Sequence, residues 1–247
     1  MTKRITILFL LFVAVLAAAA QGRKVQHKPY VDLRPLHFGI SIGAHVQDME
    51  VRNIGPQIVT IEDEDVTRTV VSDVDTWNPG LSVGVLADLR LGQHLALRVS
   101  PTMHFGSKHL VFRDFQDLND AGHPRESTQD MKNTYLSVPI DLKFSAQRFN
   151  NYRPYLIAGA SPMLNLTGKD QDYVHLNRFD TMLEVGVGCD FYLPFFKLIP
   201  ELKFCYSLGN TLNSKHAAEL TDVNKRVFSN AIDLAQSKMI VLTFYFE

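Results

Sequence analysis

The chain has 247 residues, a net charge of −1, 46% hydrophobic and 21% charged residues. That length holds one domain or two small ones. The near-zero charge without a basic block argues against a nucleic-acid partner, and two cysteines, Cys189 and Cys205, make no disulfide framework.

The first element is an export signal. Lys3 and Arg4 precede an apolar run from Ile5 to Leu16, and Ala18-Ala19-Ala20 form a small-residue exit before Gln21. The run falls short of the about 20 residues a spanning helix needs, so cleavage near Gln21 is expected, with an uncleaved anchor as the alternative. The expected organisation is a signal peptide over 1–20, a periplasmic segment over 21–35 and a β-domain over 36–247.

Beyond the signal the hydrophobic period is two. Phe38, Ile40, Ile42 and Ala44 alternate with His37, Gly39, Ser41, Gly43 and His45. Leu81, Val83, Val85, Ala87 and Leu89 alternate with Ser82, Gly84, Leu86, Asp88 and Arg90. The third strand sets Leu95, Leu97, Val99, Pro101, Met103 and Phe105 against Ala96, Arg98, Ser100, Thr102 and His104. The fourth sets Leu136, Val138, Ile140, Leu142 and Phe144 against Tyr135, Ser137, Pro139, Asp141 and Lys143. A more uniformly apolar run covers 155–166. Leu183 to Leu193 alternates with Glu184, Gly186, Gly188, Asp190 and Tyr192, and Leu202 to Leu208 with Glu201, Lys203, Cys205 and Ser207. The last strand carries Ile240, Leu242, Phe244 and Phe246 on one face. About eight strands of about ten residues result, each long enough to cross a bilayer at a tilt.

The links alternate in length. Short ones fall at 91–93, 147–152 and 194–197, long polar ones at 47–78, 113–133, 168–180 and 210–237. That rhythm belongs to outer-membrane barrels, with long outer loops and short periplasmic turns, and an even strand number puts both termini in the periplasm. A soluble sandwich or lipocalin-like barrel also alternates, with the opposite faces inward. Three features favour the membrane: opposite charges share the polar set, that set is rich in Gly and Ser, and aromatics close the last strand. Inside such a barrel Asp88, Arg90, Arg98, Asp141, Lys143, Glu184, Asp190, Glu201 and Lys203 form a structural charge network, because an unpaired buried charge costs several kcal/mol. The lumen is filled and conducts no large solute.

Catalytic and metal-binding patterns are weak. Ser100 and His104 share a strand face, with Ser107 and His109 beyond, but the spacing specifies no acyl-transfer site. His123, His175 and His216 lie in separate loops without metal-ligand spacing. Glu62-Asp63-Glu64-Asp65 lacks the glycine-centred calcium-loop pattern. Cys189 and Cys205 fall on opposite faces and are expected free. Trp77, Tyr135, Tyr152, Tyr155, Tyr192 and Phe195 lie near strand ends, where barrels carry aromatic girdles.

Several segments in order resemble the PorT family of barrels. They are Leu36-His37-Phe38-Gly39-Ile40-Ser41-Ile42-Gly43, Asn78-Pro79-Gly80-Leu81, Asp88-Leu89-Arg90-Leu91-Gly92 with Leu97, Arg98 and Pro101, then Tyr135-Leu136-Ser137-Val138-Pro139 and Asn151-Tyr152-Arg153-Pro154-Tyr155. The resemblance runs from Leu36 to Glu247; the acidic first loop and the final Glu247, in place of a terminal aromatic, depart from it. It implies an all-β antiparallel transmembrane β-barrel of OmpA or OmpX size in the outer membrane. It further implies a non-enzymatic component of the type IX secretion system, which exports cargo with C-terminal sorting domains, cell-surface cysteine proteases among them. No catalytic residue, cofactor or metal is carried over. The implied partners are outer-membrane lipid, other secretion components and the barrel-assembly machinery. A structural or adhesive barrel and a lipid-modifying barrel enzyme are the alternatives.

Overall fold

The computed structural model describes residues 25–61, 64–74, 76–118, 120, 122–167, 173–213 and 223–247. The segment expected to be an export signal and the acidic pair Glu62-Asp63 lie outside them. The strands are β1 (Leu36–Asn53), β2 (Pro56–Ile61), β3 (Glu64–Val74), β4 (Asn78–Arg90), β5 (Leu95–Val99), β6 (Thr102–Leu118), β7 (Pro124–Ser137), β8 (Ile140–Ser145), β9 (Tyr152–Asn165), β10 (Phe179–Tyr192), β11 (Lys197–Ser207) and β12 (Ile232–Phe246). A helix, α1 (Val223–Asn230), precedes β12.

The sheet closes on itself. β12 pairs β1, β1 pairs β4, β4 pairs both β5 and β6, β8 and β7 pair β9, β9 pairs β10, and β10 returns through β11 to β12, all antiparallel. β5 and β6 are one strand interrupted at Ser100-Pro101, and β7 and β8 are one strand interrupted at Val138-Pro139. The ladder runs from Val99↔Ile140 to Thr102↔Ser137 without a change of register. The prolines lack the N–H that would complete it. The ring therefore has eight strands, and three tight turns mark one end of it.

Side-chain direction settles which solvent the wall faces. Along β4, Ser82 and Asp88 are buried inside, with Asp88 only 4% exposed. Val83 and Val85 face outward, Val85 52% exposed. Phe38, Ile40, Leu142, Phe144, Leu156, Val185, Leu202 and Phe244 face outward as well. The largest fully buried side chain is Arg98. A continuous outer belt of this kind far exceeds the few hundred Å² of apolar patch a water-soluble protein exposes. It matches the lipid-facing band of a membrane barrel.

At the loop end the pattern inverts. β6 carries Met103 and Phe105 outward and His104 inward, but farther along Leu110 and Phe112 turn inward and Arg113 outward. β1 changes outward character between Val46 and Asp48, opposite Ile240 and Lys238 of β12. Beyond the belt the outer solvent is water, so the apolar face moves inside. Met49, Val70, Leu110, Phe112, Met131 and Val227 then meet in an apolar plug over the lumen. Phe112, Tyr173 and Phe228 pack with ring centroids 5.3–5.5 Å apart.

Three links expected as polar loops are thereby corrected. The 113–133 link is mostly the continuation of β6 and β7, the 47–78 link holds the β2–β3 hairpin, and the 210–237 link holds α1 and the start of β12. Their inward apolar residues, alternating with outward polar ones, fold them as a short water-facing extension of the wall.

Candidate functional site

The charged lumen begins at the turn end. Arg98, on β5, donates from Nε to Asp88 Oδ1 (2.7 Å) and from Nη2 to Asp88 Oδ2 (2.8 Å), a bidentate pair. Its Nη1 donates to Glu201 on β11. In the ring β5 and β11 lie on opposite walls, so this guanidinium straps the barrel across its diameter. Tyr155 and Tyr245 donate to Glu201 at 2.5 and 3.0 Å, and their rings flank Arg98.

Two further clusters adjoin the strap. Lys143 donates to both Asp190 oxygens (2.8 and 3.0 Å), and Lys203 donates to Asp141 (2.7 Å) and Glu184 (2.9 Å). Every one of these groups is nearly or wholly excluded from solvent. Charged pairs in such surroundings are strong when complete and costly when broken, so the network fixes the spacing of the wall strands. It leaves cavities of about 40 Å³ and about 20 Å³, room for ordered water and little else.

Of the nine charges expected inside, eight meet in these clusters. Arg90 is the correction. Its position alternates with Asp88, but it lies at the strand's last residue, and its guanidinium turns to the rim to donate to the carbonyls of Gly92 (3.1 Å) and Leu33 (3.3 Å). Sequence reasoning missed Lys197, Tyr155, Tyr245 and Glu247. Lys197 lies four residues upstream of Glu201 on the same face, and Tyr245 sits on the face opposite Phe244 and Phe246, so both were readable by extending the period.

Glu247 has a local explanation. Its backbone completes the β11–β12 ladder with Lys197, and its side chain accepts from Lys197 Nζ (2.7 Å) and His37 Nδ1 (2.5 Å). Burial alone would raise this carboxyl. The His37 hydrogen bond and the Lys197 charge outweigh it and hold the pKa at about 2.

Above the charged tier lies a neutral polar one. His104 bonds Ser82 (2.8 Å) through Nδ1 and Ser137 (2.9 Å) through Nε2, while His45 shares Ser82 and accepts from Gln47. Ser100 makes no bond to His104, and no carboxylate among the described residues orients this imidazole, so a hydrolytic triad is not assembled. His109 pairs Asp130 at 2.6 Å in the loop-end extension, and His216 lies outside the described residues. Tyr135, Tyr155 and Tyr192 are buried in the lumen and leave the expected girdle, whereas Trp77, Tyr152 and Phe195 face out. Cys189 and Cys205 are free thiols.

The turn end is covered by residues 25–34. Asn151 accepts from the His27 amide (2.9 Å) and donates to the Val25 carbonyl (2.9 Å). Arg148 donates to the carbonyls of His27 and Lys28 and stacks on Tyr192, whose hydroxyl donates to Asp32 (2.6 Å).

A polar, ion-paired lumen inside an apolar belt is the signature of an outer-membrane barrel. Residues 19–213 match the family model of the outer membrane protein beta-barrel domain. The chain belongs to that family. This β-barrel domain protein has similarity to solved outer-membrane proteins. Neisserial surface protein A is 11% identical, over 86% of this chain and 98% of the other, with a TM-score of 0.40. OprG of Pseudomonas aeruginosa is 10% identical, over 85% and 92%, with a TM-score of 0.43. The attachment invasion locus protein Ail of Yersinia pestis is 13% identical, over 85% and 96%, with a TM-score of 0.34. No curated protein matches the chain.

Proposed function

We propose that this barrel is a non-enzymatic component of the type IX secretion system, needed for export of cargo bearing C-terminal sorting domains. The observation that carries the reading is the ordered set of PorT-like segments, from Leu36–Gly43 through Tyr135–Pro139 to Asn151–Tyr155. The lumen supports an accessory role over a conduit, since the Arg98–Glu201 strap and the apolar plug leave no passage for a folded chain. In this reading the three short turns and both termini face the periplasm, and outer-membrane lipid, the assembly machinery and other secretion components are its partners.

The test is an in-frame deletion followed by fractionation for sorting-domain cargo, with unrelated outer-membrane proteins blotted as controls. Cargo held in the periplasm beside normal controls is expected. Cargo reaching the surface normally would overturn the role. A surface-attachment barrel is the second reading, favoured by Ile58, Phe115 and Leu118 standing exposed on the loop-end extension.

A further inference from the structure

A local charge asymmetry that the lumen network does not absorb lies at the turn end. A cleft of about 440 Å³ opens there between the N-terminal segment and the turns, lined by Asp32, Arg90, Gln93, His94, Arg148 and Arg153. The turn segments 91–94, 146–151 and 193–196 contain no Asp or Glu. The guanidiniums are held mainly by neutral carbonyls. Arg153 donates to Ala146 (2.8 Å) and Gln93 (2.5 Å), Arg90 to Gly92 and Leu33, and Arg148 to Asn150 (2.8 Å) and Lys28 (3.1 Å). Carbonyls orient a guanidinium without cancelling its charge. Asp32 is the lone carboxylate lining the cleft; it stands 3.6 Å from Arg148 and 3.8 Å from Arg153, and it also accepts from Tyr192.

We infer that this arginine cleft binds an acidic peptide segment of a partner protein, its Asp or Glu carboxylates bridging Arg90 and Arg153. Volume and polarity suit such a ligand, and planar guanidiniums suit carboxylates. Direction favours a peptide over bilayer headgroups. Arg90 and Arg153 occupy the lumen-facing alternation, with Asp88 and Tyr155, so the cleft faces the barrel axis. A separate, smaller cavity shares Asp32, Arg90 and Arg153 with it and reaches Asp88, Lys143, Asp190 and Lys197, away from the lipid belt.

The test uses the mature chain refolded in dodecyl maltoside micelles and fluorescein-labelled hexaglutamate, followed by fluorescence anisotropy. Saturable one-to-one binding is expected, absent for hexaglutamine and weakened by raising NaCl from about 50 to about 500 mM, as screening requires. Arg90→Gln with Arg153→Gln should weaken it at least tenfold, and Asp32→Asn should tighten it. Heat-shifted electrophoresis checks that each variant is folded; if the double variant fails that check, Arg90→Gln alone carries the comparison. Equal binding of hexaglutamine, or no loss in folded Arg90→Gln, overturns the inference. So does loss of peptide binding when the barrel sits in phosphatidylglycerol nanodiscs but not in zwitterionic ones, which would assign the cleft to lipid. The assay contains no cargo, so the cleft and the secretion role succeed or fail separately.

Discussion

Arg98 shows how one side chain can organise a membrane-protein interior. Three of its N–H groups serve Asp88 bidentately and Glu201 across the lumen, a geometry that a lysine ammonium cannot copy. Arg98→Met removes the hydrogen-bonding cation of two buried carboxylates, leaving Asp88 with Lys143 at 3.7 Å and Glu201 with Lys203 at 3.7 Å. We expect a loss of about 3–5 kcal/mol, read as a lower urea midpoint for the heat-shifted gel band, with Arg98→Lys falling between; an unchanged midpoint for Arg98→Met would remove the strap from the stability argument. Glu247 acts at the rim. Because its folded pKa of about 2 lies below the ordinary carboxylate range, its contribution is complete above about pH 4.5 and disappears as pH falls through 2. The full effect is on the order of 3 kcal/mol. Urea titrations of wild type and Glu247→Gln should therefore differ at neutral pH and converge near pH 2, and parallel curves across that window would refute the assignment.

At the level of strands, the sequence was most legible where one face meets lipid. The alternation from Leu81 to Leu89 named the inward and outward residues of β4 correctly, because lipid and a polar lumen impose opposite demands on neighbouring positions. It was least legible where the same strand leaves the bilayer. From Leu110 on, the preferred face of β6 switches, and a reading that expects one parity per strand sees an irregular polar stretch. The charge network was legible as a set of residues but not as a set of pairs. Which cation meets which carboxylate depends on ring order, and ring order is a property of eight strands at once. The boundary can be measured at Trp77, the sole tryptophan, just before β4 and facing outward. In lipid vesicles a nitroxide placed near the headgroups should quench its emission more than one at mid-chain; the reverse order would move the boundary inward.

As a whole molecule the barrel is obstructed at three levels: residues 25–34 lie across part of the turn end, the Arg98 strap crosses the lumen, and the apolar plug fills the loop end. Planar-bilayer recordings of the reconstituted protein should accordingly show no steady open-channel steps, and sustained conductance at neutral pH would contradict a filled lumen. The proline interruptions have a further consequence. Pro101, Pro139 and Pro162 lie at one height on three neighbouring strands, where the remaining bonds run from Val85 to Pro101, Ser100 to Pro139 and Val138 to Pro162. Each proline accepts but cannot donate, so the wall there is stitched in one direction only. That line is a crease: three donors are missing side by side, whereas the opposite wall lacks one, at Pro200 of β11, so we expect the cylinder to flatten along it first under thermal breathing or lateral pressure from the bilayer.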